Sequence, residues 1–499
     1  MKSVIVACFG LSVAFFSSAQ TQYSAYTAIG KGVATTFLRD YQSLGINSSA
    51  LGWGTGFKGK NFVMGTSEFA FGISSPELNK EKLQNFSNAL LNQVRDKENS
   101  SFDLQAQKDA ALDYANAGIA MSFDYNWMGG SFYNEKLGGI AFSIREHYDW
   151  FSQINEQTTD LIFRGRASSY FDSLTVAING DTSTIANNPN ISEDTLDAAL
   201  FGSRNNPLLL SEITNGSKVK FLWNREFNFG WGRRIIGNDS TFAIYAGLGG
   251  RIIQSMALFD LASDEDGFGL SSSVSPFYGI DYGAIQLLNP SSFSENKGIL
   301  PSTVGSGYGV DISASAFLLG KIRVAAAVNN IGKVTYTRNI YTVRDTVLRE
   351  MTLPGLGDYN VTEGMNQLLE EGGVLNLLGE EEIVVANPAN FRLGGSIELV
   401  KNIVNVGFDL IAPFDTNAPG SLQNAVFSVG GDFRPIEWIQ LSVGYFGGGL
   451  YEHNIPVGIN FILGGGTYEF GISSRDALSF FLKDANSVST AFGFARFRF

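Results

Sequence analysis
Along most of the chain, apolar and polar residues alternate with a period of two. Within 117–128, Ala117, Ile119, Met121, Phe123, Tyr125 and Trp127 take one side; Gly118, Ala120, Ser122, Asp124 and Asn126 take the other. Ile322, Val324, Ala326 and Val328 alternate with Lys321, Arg323 and Asn329. Val404, Val406, Phe408 and Leu410 alternate with Asn405, Gly407 and Asp409, and Ala425, Phe427, Val429 and Phe433 with Asn424, Ser428, Asp432 and Arg434. Two-sided runs of about ten residues, punctuated by turn residues, predict strands with one face in lipid and one in a lumen. A soluble sandwich also alternates, so the turns matter. Gly320, Lys401, Arg434-Pro435-Ile436 and Gly464-Gly465-Gly466 mark tight turns, whereas Thr342 to Pro388 is long. That asymmetry belongs to outer-membrane barrels, with short periplasmic turns and long extracellular loops. Tyr125, Trp127, Trp438, Tyr445 and Phe446 stand near strand ends, as an interfacial girdle requires.

Fifteen strands can be read: near 62–73, 117–128, 138–150, 217–232, 241–256, 268–282, 306–318, 321–337, 391–400, 402–411, 424–434, 437–447, 455–463, 466–474 and 490–499. A closed single-chain barrel needs an even number. Counts from the two ends disagree between 150 and 282, where either one strand is split or Leu161 to Phe171 is a further one. The expected fold is therefore all-β, a transmembrane antiparallel up-and-down barrel of fourteen or sixteen strands. Helical insertions are expected in its long extracellular loops. Ser75 and Pro76 introduce a helix over Glu77 to Asp96, with Leu83, Phe86, Leu90, Leu91 and Val94 on one face. Glu193 to Phe201, closed by Gly202, and Met365 to Leu369 predict shorter ones.

Composition agrees with a membrane barrel. Charged residues make up 17% against the usual quarter, while there are 57 glycines, 40 phenylalanines and 18 tyrosines. No run of about 18 apolar residues follows the first twenty, so no helical span is expected. Those first residues carry Lys2, an apolar stretch from Val4 to Phe16 and then Ser17-Ser18-Ala19, the layout of a secretory signal over 1–19. The single cysteine, Cys8, lies inside it, so the mature chain can form no disulfide. A net charge of −13 argues against nucleic acid, whose binding needs Lys and Arg against phosphates.

Candidate chemistry is sparse. His147 and His453 sit in Arg-Glu-His-Tyr and Tyr-Glu-His-Asn, read as strand-end contexts, and there is no HExxH, G-x-S-x-G or complete GxxxxGK[ST]. Asp264-Glu265-Asp266-Gly267 lacks the terminal bidentate glutamate of a calcium loop and reads as an acidic turn. No catalytic residue, metal or cofactor is expected. Asp124, Arg323, Asp409, Asp432, Arg434, Arg496 and Arg498 fall on lumenal positions. They could line a pathway, or they could be the salt-bridged filling of a narrow barrel.

Between the signal and the first strand, residues 20–60 form a lead-in containing Asp40-Tyr41-Gln42-Ser43-Leu44-Gly45-Ile46-Asn47-Ser48-Ser49-Ala50-Leu51-Gly52. This resembles the N-terminal signature of the FadL/PorV superfamily of outer-membrane barrels, in which a small-residue stretch leads to Asn-Pro-Ala and then Leu-Gly. Here Asn47 and Ala50 bracket Ser48-Ser49 where that family has proline. The ending Ala491-Phe492-Gly493-Phe494-Ala495-Arg496-Phe497-Arg498-Phe499 resembles the signature read by the outer-membrane assembly machinery. Phe497, Ala495 and Ala491 would share one face, with Arg496 and Arg498 in the lumen. The resemblance implies fourteen strands, with residues 20–60 as an inward-folded hatch and 61–499 as the barrel. It also implies Sec export to the outer membrane of a Gram-negative cell, among its lipids and lipopolysaccharide, with Phe499 meeting the assembly machinery. Two functions follow from it: FadL-like passive uptake of hydrophobic small molecules, or a PorV-like scaffold or shuttle that does not transport and binds a secretion component.

Overall fold
The computed structural model describes residues 25–75, 118–178, 180–264, 267–278, 300–353, 355, 376–422, 424–448, 451–482 and 487–499. The leader and the helices expected over Glu77 to Asp96 and Met365 to Leu369 lie outside them.

Fourteen strands close into an antiparallel barrel in chain order. They are β1 (Phe62–Ser74), β2 (Ile119–Asn134), β3 (Gly138–Gln153), β4 (Lys218–Asn238), β5 (Phe242–Asp264), β6 (Gly305–Leu318) and β7 (Ile322–Tyr336). The second half comprises β8 (Asn390–Val400), β9 (Val404–Pro413), β10 (Val426–Ile436), β11 (Ile439–Gly448), β12 (Val457–Leu463), β13 (Tyr468–Ser474) and β14 (Ser487–Arg498). β14 returns to β1 through a long ladder from Val63–Arg498 to Ser74–Ser487. The turns after β2, β4, β6, β8, β10 and β12 are short and lie at one end, which also holds Phe62 and Phe499. The connections at the other end are mostly long.

The fifteenth expected strand, 268–282, is not part of the wall. Gly267–Val274 folds back on the upper half of β5, pairing Ala257 to Asp264. Ile340–Arg344 and Asn376–Gly379 extend that wing. Asp264 pairs with Gly267, which holds φ 138°; Glu265 and Asp266 of the expected acidic turn lie outside the described residues. Leu161 to Phe171 is not a strand either. Asn155 caps a helix over Glu156–Arg164, its side chain accepting the Thr158 N–H at 2.7 Å, and a 3-10 turn follows at Gly165–Ala167. Only Glu193–Asp197 of the helix expected over Glu193 to Phe201 is helical. Ala199–Ser203 is a strand because it finds backbone partners in Ser173–Ile178 and Glu350–Met351. With Asp181–Ala186 these make a four-stranded cap sheet. The cap has its own core of Leu161, Tyr170, Phe171, Leu210, Ile213, Leu348 and Met351.

The outer wall is apolar and open to its surroundings: Ile140, Phe229, Leu248, Ile252, Ile312 and Val443 are each more than half exposed. So contiguous an apolar surface would aggregate in water; it is the belt of a barrel seated in lipid. The inner wall carries the buried Ser, Asn, Asp, Glu and Arg side chains.

The period of two breaks at one level of the wall. In β1, Val63 and Gly65 face inward, but after Ser67, which has φ 57°, Glu68 and Ala70 do. In β14, Ala491 is buried inside and Phe494 exposed, yet Arg496 and Arg498 are inside and Phe497 out. Ala491 and Phe497 therefore do not share a face, contrary to the expectation. An extra residue on one strand flips the parity beyond it, and the bulge at 494–495 lies opposite the one at 66–67. A third, between Asn126 and Met128, puts the same flip in β2.

Residues 25–61 lie inside the barrel. The segment has a helical turn at Tyr26–Ile29 and 3-10 turns at Tyr41–Ser43 and Ser48–Trp53; nearly all of it up to Gly54 is buried, and residues 55–61 are half-buried or exposed. It meets the wall at backbone distance. A Cβ on Gly247 would sit 2.1 Å from the Ser49 nitrogen, and one on Gly430 would sit 2.0 Å from the Lys31 carbonyl. This close approach accounts for inward-facing glycine where a porin-like lumen would carry side chains.

Candidate functional site
The wall is least well closed between β1 and β2. The two run side by side, but their ladder consists of a single pair, Phe62–Phe132 at the short-turn end. β2 and β3, by contrast, pair from Ile119–Ser152 to Asn134–Gly138. Above Phe62 the seam is bridged by side chains. The Thr66 hydroxyl donates to the Trp127 carbonyl at 2.6 Å. On the outer face the Phe69 ring stacks on Tyr125 at 4.5 Å, and Tyr125 meets Trp127 edge-on at 4.7 Å.

On the inner face of the same seam stands Glu68. Its carboxylate accepts the Tyr41 hydroxyl, the Gln42 amide at 2.9 Å and the Asn126 amide at 3.2 Å. Tyr41 and Gln42 belong to the internal segment, and Asn126 to β2. One carboxylate thus ties the segment to both edges of the seam. Gly65 and Gly129 leave room for the Tyr41 ring, since a Cβ on either would fall within 2.2 Å of its atoms. Sequence reading missed Glu68 and Tyr41 as a site; the glycine at 65 was the one available signal, as a place where a strand irregularity falls.

The lumenal residues expected from the sequence divide into two groups. Asp409 accepts the Ala34 and Thr35 N–H groups at 2.8 and 3.0 Å and the Thr35 hydroxyl at 3.0 Å. Asp432 pairs with Lys31 at 2.7 Å. Arg496 bridges Asp40 of the segment and Glu469 of β13. Asn47 donates to the Thr35 carbonyl at 2.8 Å and accepts the Ser49 hydroxyl at 2.6 Å, while Ala50 packs with Trp53, Tyr245 and Phe317. These residues hold the segment in place. Arg323 lies over Trp53 and Phe317, and Arg434 over Phe57. Asp124 belongs elsewhere, in a wall-to-wall ladder.

That ladder runs along the inner face of the wall from β2 to β6. Asp149 and Asp124 flank His147 at 2.5 and 2.8 Å; Arg145 pairs with Glu226, and Arg251 bridges Glu226 at 3.4 Å to Asp311 at 2.9 Å. His147 lies well inside β3, not at a strand end, with both ring nitrogens held by carboxylates. No hydroxyl nucleophile hydrogen-bonds to it. His453 lies in a short strand, Tyr451–Asn454. Among the described residues no group of three His, Cys, Asp or Glu side chains could hold a metal ion.

Above the segment the lumen narrows to a cavity of about 20 Å³, lined by Ile411, Leu422, Val426, Phe446, Arg392 and Arg475. That is room for about one water. At the level of the segment, its buried residues and the inward polar side chains occupy the lumen, and a solute could pass there only if the segment or the wall gave way.

A model of a family of unknown function, DUF5723, matches residues 64–470. No curated protein matches the chain. Among solved structures, the Pseudomonas putida toluene transporter TodX aligns with 11% identity and a TM-score of 0.42, covering 96% of this chain and 99% of that one. The CymD monoaromatic hydrocarbon channel aligns with 10% identity and a TM-score of 0.40, over 95% and 96%. A Pseudomonas aeruginosa FadL homologue aligns with 10% identity and a TM-score of 0.37, over 95% and 98%.

Proposed function
The chain belongs to DUF5723, a family of unknown function, and we propose that it is an outer-membrane barrel for passive uptake of hydrophobic small molecules, which leave the lumen sideways between β1 and β2. The observation that carries this reading is the seam itself. A barrel wall is held by its ladders, and here one ladder is reduced to a single pair while aromatic rings cover the gap from outside. An apolar solute slipping between Phe69, Tyr125 and Trp127 would pass from lumen to lipid without entering water. Glu68 links the two movements the route needs, because freeing Tyr41 and Gln42 loosens the segment and the seam edges together. In the usual orientation the short turns are periplasmic and the cap extracellular. No complete GxxxxGK[ST] is present, and in this reading flow follows the concentration gradient.

The test is a removable staple. With Cys8 the only cysteine in the sequence, Phe69→Cys with Tyr125→Cys introduces a pair free of competition from other strands. Influx of a radiolabelled fatty acid or toluene into cells carrying the protein should fall to background on oxidation and return on reduction. Influx untouched by the staple would remove the lateral route, and no influx in any state would remove uptake.

A scaffold role is the second reading, favoured by a lumen occupied at the level of the segment and by a cap with its own core. It expects cells with the stapled barrel to behave as wild type while deletion of the cap abolishes function.

A further inference from the structure
At the short-turn mouth the internal segment makes a turn, Trp53-Gly54-Thr55-Gly56-Phe57-Lys58-Gly59-Lys60, before entering β1. Gly54, Gly56 and Gly59 all have φ between 73° and 79°, a left-handed backbone that other residues resist. The turn is tied to itself by the Thr55 hydroxyl, which donates to the Lys60 carbonyl at 2.6 Å, and to the wall by Lys60 Nζ on Thr467 at 2.8 Å. Four guanidinium groups are laid along it, of which Arg498, 4.4 Å from the Phe57 ring, is paired with Glu469. Arg323 Cζ lies 5.8 Å from the Trp53 ring and 5.2 Å from Phe317. Arg434 Cζ lies 5.9 Å from the Phe57 ring. Arg39 lies between them, its Nη1 only 2.8 Å from where a Cβ on Gly56 would stand. Lys58 is exposed beside them.

None of Arg39, Arg323, Arg434 and Lys58 has a carboxylate within 4.0 Å among the described residues. The acids nearby are engaged. Glu398 accepts the Asn402 N–H at 2.7 Å; Asp239 takes the Tyr245 hydroxyl at 2.5 Å and faces Arg234 at 3.6 Å; Glu469 holds Arg496 and Arg498. In a chain with 48 acidic and 35 basic residues, a run of arginines with no carboxylate in contact at one mouth is a local inversion, offset only at longer range by Glu398 and Asp239. Gathering like charges costs repulsion that a bound anion removes.

We propose that Arg39, Arg323 and Arg434, along the Trp53–Phe57 turn, form a binding site for a phosphate group at the short-turn mouth. Lying over aromatic rings leaves the N–H edges of Arg323 available, and those of Arg434 apart from Nη2, which donates to Gln440 Oε1 at 3.1 Å; a guanidinium fork matches oxyanions bidentately. A carboxylate has two coplanar oxygens and saturates one fork. Inorganic phosphate has four tetrahedrally disposed oxygens and a higher charge, so it can accept from three forks at once; a lipid phosphodiester has two non-bridging oxygens and one charge, set tetrahedrally so that two forks can share it. Two sources present that group here: a soluble phosphate, or the headgroup of an anionic phospholipid. The exposed Trp231, Trp438, Phe62 and Phe499 near the same turns set this mouth at the headgroup level. The site is independent of the lateral route between β1 and β2.

The test uses the whole protein in nanodiscs of phosphatidylcholine, with and without phosphatidylglycerol. Native mass spectrometry reads retained lipid, and calorimetry with inorganic phosphate reads the soluble source. Retention of phosphatidylglycerol over phosphatidylcholine without phosphate binding supports the lipid source; saturable phosphate binding without lipid preference supports the soluble one. In either case Arg323→Gln and Arg434→Gln should each weaken binding about tenfold or more, Arg323→Lys less, and Lys401→Gln on the same rim hardly at all. The lysine variants keep the charge and so serve if a glutamine variant fails to fold. Absence of both kinds of binding, or an equal loss in Lys401→Gln, overturns the proposal.

Discussion
At the scale of single residues, the segment is held by a few acceptors that each satisfy several donors. Glu68 serves Tyr41, Gln42 and Asn126; Asp409 serves two backbone N–H groups and a hydroxyl. Stranding buried donors costs about 1–3 kcal/mol each. Glu68→Ala and Asp409→Ala should therefore expose residues 25–61 to protease added to the folded barrel, whereas Asp124→Ala, whose partner is His147 on the wall, should not. Equal cleavage in all three would mean the segment is not held by these contacts. The sequence made Asp409, Asp432 and Arg496 legible as inward positions, because alternation assigns a face. It could not reveal what they touch. Their partners Ala34, Lys31 and Asp40 are 375, 401 and 456 residues away along the chain, and no local pattern carries contacts of that span.

At the scale of elements, the wall was legible and its defects were legible only at Gly65-Thr66-Ser67, where a glycine within a strand marks an irregularity. Strand positions, order and the tight-versus-long alternation of turns follow from a period of two, which every ordinary strand residue reinforces, but that period alone counts fifteen strands, one too many. A bulge depends on one residue's backbone, and Ser67 is indistinguishable by polarity from a regular strand residue. That is why Ala491 was grouped with Phe497 across a flip in parity. The wing at 267–274 has the same alternation as a wall strand but pairs only with β5 among wall strands, and pairing is not written in alternation. The bulge gives a test. At φ 57° a β-branched side chain is strained, by about 1–2 kcal/mol, while glycine is at ease. Ser67→Val should lower the temperature at which the barrel loses its compact migration in electrophoresis, and Ser67→Gly should leave it unchanged or raise it. If valine is as well tolerated as glycine, the positive φ at 67 is not what the wall requires.

For the whole molecule, the question is whether the wall alone or the segment seals the lumen. The inward positions that carry glycine, among them Gly247, Gly430 and Gly444, lie directly against the segment's backbone. A wall built with so little side-chain volume cannot close on itself, because nothing would fill the space once the segment left. The wall-to-wall ladder from Asp149 to Asp311 is anchored on β2 to β6. It runs along the β2–β6 flank of the lumen, where β4, β5 and β6 also meet the segment nearer the short turns. Deleting residues 25–58 while keeping the leader and β1 should therefore turn a barrel that is silent in planar bilayers into one with a stable ionic conductance. Steps in the intact protein should be absent or brief, since Lys31–Asp432 and Arg496–Asp40 join the segment to β10 and β14, at separate points of the wall. If the deleted barrel inserts yet stays silent, the wall's own side chains close the lumen. The segment would then have no gating role, and any route for a solute would have to lie entirely along the β1–β2 seam.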